Sequence, residues 1–168
     1  MNIDDYLTKV QQQQISAVIA ERCRRFRTFE KQFDSLFFEP YTVMRHKHTL
    51  TSAVLSGFAP NALKIDGITS ETVNYGLQDK LAQPELKVQN ALFQIYSNGS
   101  DLKGNLIQKR CQEFNRKDAC GPIFFLVVFH ATGKGELKRI EACFLDAEAR
   151  ITERQTIYSS PCIKSMAG

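Results

Sequence analysis

Apolar residues in the first third of the chain recur every three or four positions: Ile3, Leu7 and Val10, then Ile15, Val18, Ile19, Cys23, Phe26, Phe29 and Phe33. That spacing places them on one face of a helix. Asn2 or Asp4 can cap its start, because either side chain can accept from the unpaired amides of a first turn. Gln11 to Gln14 read as helix surface. A second short helix, about residues 29–38, should end before Pro40, since proline drives the preceding residue out of helical geometry. Tyr41 to Met44 reads as extended, and residues 45–60 fit strand and helix equally. From Thr69, the four-residue period of Val73, Leu77 and Leu81 predicts a third helix that stops at Pro84.

Beyond Pro84 the period changes to two. Leu86–Val88 and Leu92–Tyr96 read as extended, and Asn98-Gly99 is turn chemistry because both residues tolerate positive φ. Residues 123–129 are nearly all β-branched, aromatic or leucine and predict a well-buried strand. Thr132-Gly133-Lys134-Gly135 then turns the chain into a long alternating strand over residues 137–149, which makes an antiparallel hairpin. Residues 105–117 fit two periods. As a strand they continue the meander; as a helix they set Ile107, Cys111 and Phe114 on one side. The sum is a single α+β domain over residues 1–168: helical over 1–38, mixed over 39–84, an antiparallel sheet over 85–150 and an irregular tail over 151–168.

Composition supports folding without staples. The 168 residues are 43% hydrophobic and 24% charged, an ordinary globular mixture. Net charge is +4, from 22 basic and 18 acidic residues, a balance that permits nucleic-acid binding without indicating it. The run Arg22-Cys23-Arg24-Arg25-Phe26-Arg27 reads first as a solvated helix face and second as a phosphate site. Five scattered cysteines form no CxxC pair and have no histidine at ligand spacing, which argues against zinc and a disulfide framework. The acidic Asp4-Asp5 start is unlike a secretory signal, and no window approaches the roughly 20 apolar residues of a membrane span. A cytoplasmic, reducing location is expected.

The order of long helix, short helix, strand, helix and terminal meander resembles the nuclear transport factor two-like superfamily, also called the SnoaL-like or cystatin-like cone. Phe33-Asp34-Ser35-Leu36-Phe37-Phe38-Glu39-Pro40-Tyr41-Thr42-Val43 is similar to that family's helix-to-strand passage. Gly67-Ile68-Thr69-Ser70-Glu71-Thr72-Val73 is similar to the lead-in to its third helix, and residues 129–140 to its final hairpin. The resemblance implies N-terminal helices packed on a curved C-terminal antiparallel sheet, a cone-like α+β barrel around an apolar pocket. It implies a domain that binds a small apolar molecule, as a ligand-binding protein or a cofactor-independent lyase or isomerase. Members without polar pocket groups dock proteins or dimerise, so a non-catalytic interaction domain or homodimer is the alternative.

Under the cone, His130 and Asp146 are the acid–base candidates. His130 shares a strand face with Phe124, Leu126 and Val128 and could carry a proton near neutral pH; Asp146 continues the face of Ile140, Ala142 and Phe144. Tyr41, Tyr96, Phe124, Leu126, Val128 and Phe144 would line the pocket. His46 and His48 form a lone HxH, which reads as a polar strand face, and no metal is expected.

A second resemblance is to PD-(D/E)xK nucleases, through Leu63-Lys64-Ile65-Asp66-Gly67 and the later Glu85-Leu86-Lys87. It implies Asp66 and Glu85 holding Mg²⁺, with Lys87 on the same face polarising the attacking water. Only this reading brings in Mg²⁺ and a nucleic-acid partner. The two resemblances divide on residues 105–117. The nuclease needs a helix there and the two carboxylates within about 5 Å of each other; the cone needs a strand paired with residues 123–129.

Overall fold

The computed structural model describes residues 1–34, 65–71, 85–97, 105–118, 121–131 and 136–161. A 3₁₀ turn at Ile3–Asp5, capped by the Asn2 side chain, leads into helix α1 (Lys9–Asp34). Thr8 and Gln11 close a reciprocal capping box: the Gln11 amide donates to Thr8 Oγ1 (3.1 Å) and the Thr8 amide to Gln11 Oε1 (2.9 Å). The strands are β1 (Thr69–Glu71), β2 (Glu85–Val88), β3 (Ala91–Ser97), β4 (Ile123–Ala131), β5 (Leu137–Leu145) and β6 (Ile151–Ser159), with helix α2 (Asn105–Phe114) between β3 and β4. They form one sheet in sequence order, β1-β2-β3-β4-β5-β6.

Every neighbouring pair is antiparallel except β3 and β4, which run parallel from Ala91↔Ile123 to Ser97↔Phe129. Parallel neighbours need a crossover, because the chain must return to the same end of the sheet before starting the second strand. Helix α2 lies on that return. It covers one sheet face, where Ile107 and Cys111 pack on Phe124, Leu126, Val128, Cys143 and Leu145. On the other face Ile15, Ile19 and Cys23 of α1, four residues apart, join Leu86, Phe93, Ile95, Phe125, Val127, Phe129, Ile140 and Phe144. Phe125 stacks on Phe93 with centroids 5.1 Å apart and meets Phe144 at 5.6 Å. Strand β4 is thus covered on both sides, which explains its unbroken apolar sequence.

The coarse expectation holds: an N-terminal helix and a C-terminal sheet in an α+β arrangement. Four finer expectations are corrected. Residues 105–114 are helical, so the sheet is mixed and not antiparallel throughout; burial of Ile107 and Cys111, one turn apart, selects the helical period. The supposed irregular tail contains β6, a nine-residue strand. As an edge strand it has one hydrogen-bonded neighbour and is largely exposed, so polar residues such as Glu153, Arg154 and Gln155 hide it from an apolar-pattern reading. Thr69–Glu71 is the edge strand β1, paired with β2, where a helix was expected to begin. Helix α1 continues to Asp34 without a break near residue 29. Tyr41, His46, His48, the remainder of the expected third helix, and the turns at 98–99 and 132–135 lie outside the described residues.

Candidate functional site

The α2 side of the sheet carries two polar clusters. The first is built where α2 passes β2 and β3. Leu86 and Val88 face the α1 core, so strand alternation turns Glu85 and Lys87 to the opposite side. There Arg110 of α2 donates from Nη2 to Glu85 Oε1 at 3.1 Å. Its Nε lies 2.9 Å from Oε2 but off the hydrogen-bonding direction, so that contact is ionic. Glu85 is 5% exposed and Arg110 18%, which makes this a largely desolvated ion pair. Arg110 also donates from Nη1 to Glu113 (2.9 Å), and its guanidinium lies over the Phe114 ring. On β3, Tyr96 donates to Gln94 Oε1 at 2.7 Å, while the buried Gln94 Nε2 has no partner. Lys87 is exposed on the same face.

The second cluster spans β4, β5 and β6. His130 Nε2 is 3.1 Å from Glu141 Oε2, with its donor or acceptor role set by tautomer. Arg154 Nη1 reaches the same oxygen at 3.2 Å, and Arg139 Nε is 3.1 Å from Oε1. Register explains the gathering: His130 pairs with Arg139, and Cys143, next to Glu141 on this face, pairs with Arg154. Burial pushes the Glu141 carboxyl up, but the hydrogen bond and charge of His130, with Arg139 and Arg154, outweigh it and hold the group below its ordinary value. Arg154 also contacts Cys143 Sγ. Burial raises the Cys143 thiol and pushes Cys111 up to about 11, so neither is a thiolate nucleophile at neutral pH.

The other sequence candidates are dispersed. Asp146 sits in the β5–β6 turn, where Oδ1 accepts from the amides of Glu148 (3.0 Å) and Arg150 (2.9 Å) and Oδ2 meets Arg150 Nε (3.0 Å). The Arg150 amide bond is the largest cause holding its carboxyl below the usual range. His130 pairs with Arg139, and Asp146 lies seven residues further along the chain, just past the end of β5, roughly 23 Å away by strand rise. They do not form an acid–base pair. Phe124, Leu126 and Val128 are packed under α2, whereas Phe144 is in the α1 core, so these residues do not surround one space. A surface pocket of about 350 Å³ lies instead between α1 and β6, lined by Lys9, Gln12, Gln13, Ser16, Ile157 and Tyr158, and most of those groups are polar.

Asp66 and Glu85 are not brought together. Asp66 precedes β1 and is tied to α1, with its amide donating to Gln14 Oε1 (3.2 Å) and Gln14 Nε2 to its Oδ2 (3.3 Å). The backbone register sets Glu71, not Asp66, opposite Glu85. The Mg²⁺ ion implied by the nuclease resemblance needs carboxylate oxygens free to coordinate it. Both Glu85 oxygens are within reach of a guanidinium that already supplies the positive charge, and among the described side chains no group of three or more acidic, histidine or cysteine ligands could hold a metal. This donor set does not fit Mg²⁺.

Gln94, Glu141 and Arg154 were not among the site residues expected from the sequence, and Arg110 was expected only as part of a basic helix at Lys109-Arg110 under the nuclease resemblance. Gln94 had a visible signal, as the one amide inside the apolar run Leu92–Tyr96. Glu141, Arg139 and Arg154 had none, because their meeting depends on the register of two strand pairs. No family model, curated protein or solved structure matches the chain.

Proposed function

We propose that this chain is a nucleic-acid-binding domain of PD-(D/E)xK-like topology that engages the sugar–phosphate backbone along the α2 side of its sheet and does not cleave it through a metal ion. The observation that carries this reading is the helical crossover: α2 joins the parallel strands β3 and β4 after the β1–β2–β3 meander. The nuclease resemblance requires a helix there, whereas a cone-like barrel requires a strand. Exposed cations follow the same segment, with Lys109 on α2 and Arg116 and Lys117 just past its end, and Lys87 on the adjoining β2. Basic groups of this kind supply the sequence-independent part of nucleic-acid affinity. The Glu85–Arg110 pair argues against cleavage, because a guanidinium stands against the carboxylate oxygens that a metal ion would need.

Fluorescence anisotropy with labelled single- and double-stranded oligonucleotides tests the proposal. Binding should weaken linearly in log–log form as salt rises, and the oligonucleotide should remain intact with or without Mg²⁺. Absence of binding at low ionic strength sinks the reading. Mg²⁺-dependent cleavage that disappears in Lys87→Ala would restore the metal-dependent nuclease. Saturable binding of a small apolar ligand without nucleic-acid binding would restore the cone.

A further inference from the structure

We propose that Arg139, Arg154 and His130, assembled on Glu141, form a phosphate-binding site at the β5–β6 side of the face that carries α2. Glu141 has a side chain only 11% exposed, whereas those of Arg139 and Arg154 are 52% and 50% exposed. The carboxylate is therefore a buried anchor and the guanidiniums are held at the surface. One guanidinium is enough to neutralise one carboxylate, and this carboxylate has two as well as an imidazole. The cluster carries a net charge of +1 with His130 neutral and +2 with it protonated, counting +1 for each arginine and −1 for Glu141.

The contacts leave donors available. Arg139 meets Glu141 through Nε, and Arg154 meets it through Nη1, which also touches Cys143 Sγ. Among the described residues no other partner is recorded for either guanidinium, so both Nη groups of Arg139 and the Nε and Nη2 of Arg154 remain for a ligand. Planar forks with fixed positions suit a tetrahedral oxyanion, because pre-ordered donors lose little entropy on binding. Both arginines hold the same carboxylate, so one phosphate group can reach both. The proposal rests on the nucleic-acid reading only for the source of that phosphate, which is either a backbone phosphodiester or a free phosphate.

The test uses the whole chain, titrated with inorganic phosphate by NMR of arginine side-chain and imidazole signals, and separately with labelled oligonucleotide. In wild type, phosphate should shift the Arg139, Arg154 and His130 signals together. Arg139→Ala/Arg154→Ala should abolish those shifts, weaken oligonucleotide binding roughly tenfold or more and lower the salt slope by about one. Arg154→Lys, which keeps the charge and loses the fork, should weaken phosphate binding while the melting temperature stays at the wild-type value. It serves in place of the double variant if that one unfolds. Unchanged phosphate and oligonucleotide affinity in these variants overturns the site and leaves nucleic-acid binding elsewhere on the face intact. Phosphate binding without oligonucleotide binding keeps the site, assigns it to free phosphate and removes the nucleic-acid reading. Absence of phosphate shifts in wild type overturns the site whatever the oligonucleotide does.

Discussion

Asn115 and Phe124 hold each other by a reciprocal pair of hydrogen bonds: the Phe124 amide donates to Asn115 Oδ1 at 2.9 Å, and Asn115 Nδ2 donates to the Phe124 carbonyl at 2.9 Å. The same Nδ2 reaches the Leu145 carbonyl at 2.8 Å. One side chain, just past α2, thus fastens the crossover helix to the start of β4 and to the end of β5. Three bonds at about 1 kcal/mol each predict that Asn115→Ala lowers stability by roughly 2–3 kcal/mol. Asn115→Asp should be at least as damaging, because it keeps the acceptor for Phe124 and turns a charged oxygen toward two carbonyls. Urea denaturation of both variants checks this. An aspartate variant as stable as wild type would show that the two carbonyl contacts contribute nothing.

The Glu85–Arg110 pair makes an asymmetric prediction. Arg110→Met leaves a carboxylate that is 5% exposed without its guanidinium and should cost about 3–5 kcal/mol. The double variant Glu85→Gln/Arg110→Met removes both charges and should recover most of that loss. A double-mutant cycle by denaturant titration reads the coupling directly. Additive effects of the two substitutions would mean that the ion pair is not desolvated.

Glu141 predicts an acid-side loss of stability. Its folded pKa lies below the ordinary glutamate value of 4.5. Its contribution is therefore complete at neutral pH, declines once pH falls below about that value, and is gone once pH has dropped through the folded pKa. In that window the unfolded chain takes up a proton that the folded one refuses. Glu141→Gln should be less stable at pH 7, with a smaller further loss on acidification than wild type. Thermal melts of both proteins between neutral and acidic pH measure the difference, and parallel curves would remove Glu141 as a source of the slope.

Local periodicity determined much of this protein. The unbroken apolar run at 123–129 marked a strand buried on both faces, the alternation after Leu137 marked β5, and the three-to-four spacing of Ile15, Ile19 and Cys23 marked the buried face of α1. Those patterns are written residue by residue, because side-chain direction follows backbone period. Residues 105–117 admitted both periods, the helical one fitting somewhat better, and burial of Ile107 and Cys111 under a crossover decided for the helix. That one element decided whether β3 and β4 run parallel. Tertiary structure also sent Phe144 to the α1 core and Phe124 beneath α2, separating residues that the cone resemblance had grouped around a pocket. The gathering of His130, Arg139 and Arg154 on Glu141 depends on which strands are neighbours and in what register. The chain contains no local signal for that, since register is set by the combined packing of all the strands and not by any one of them.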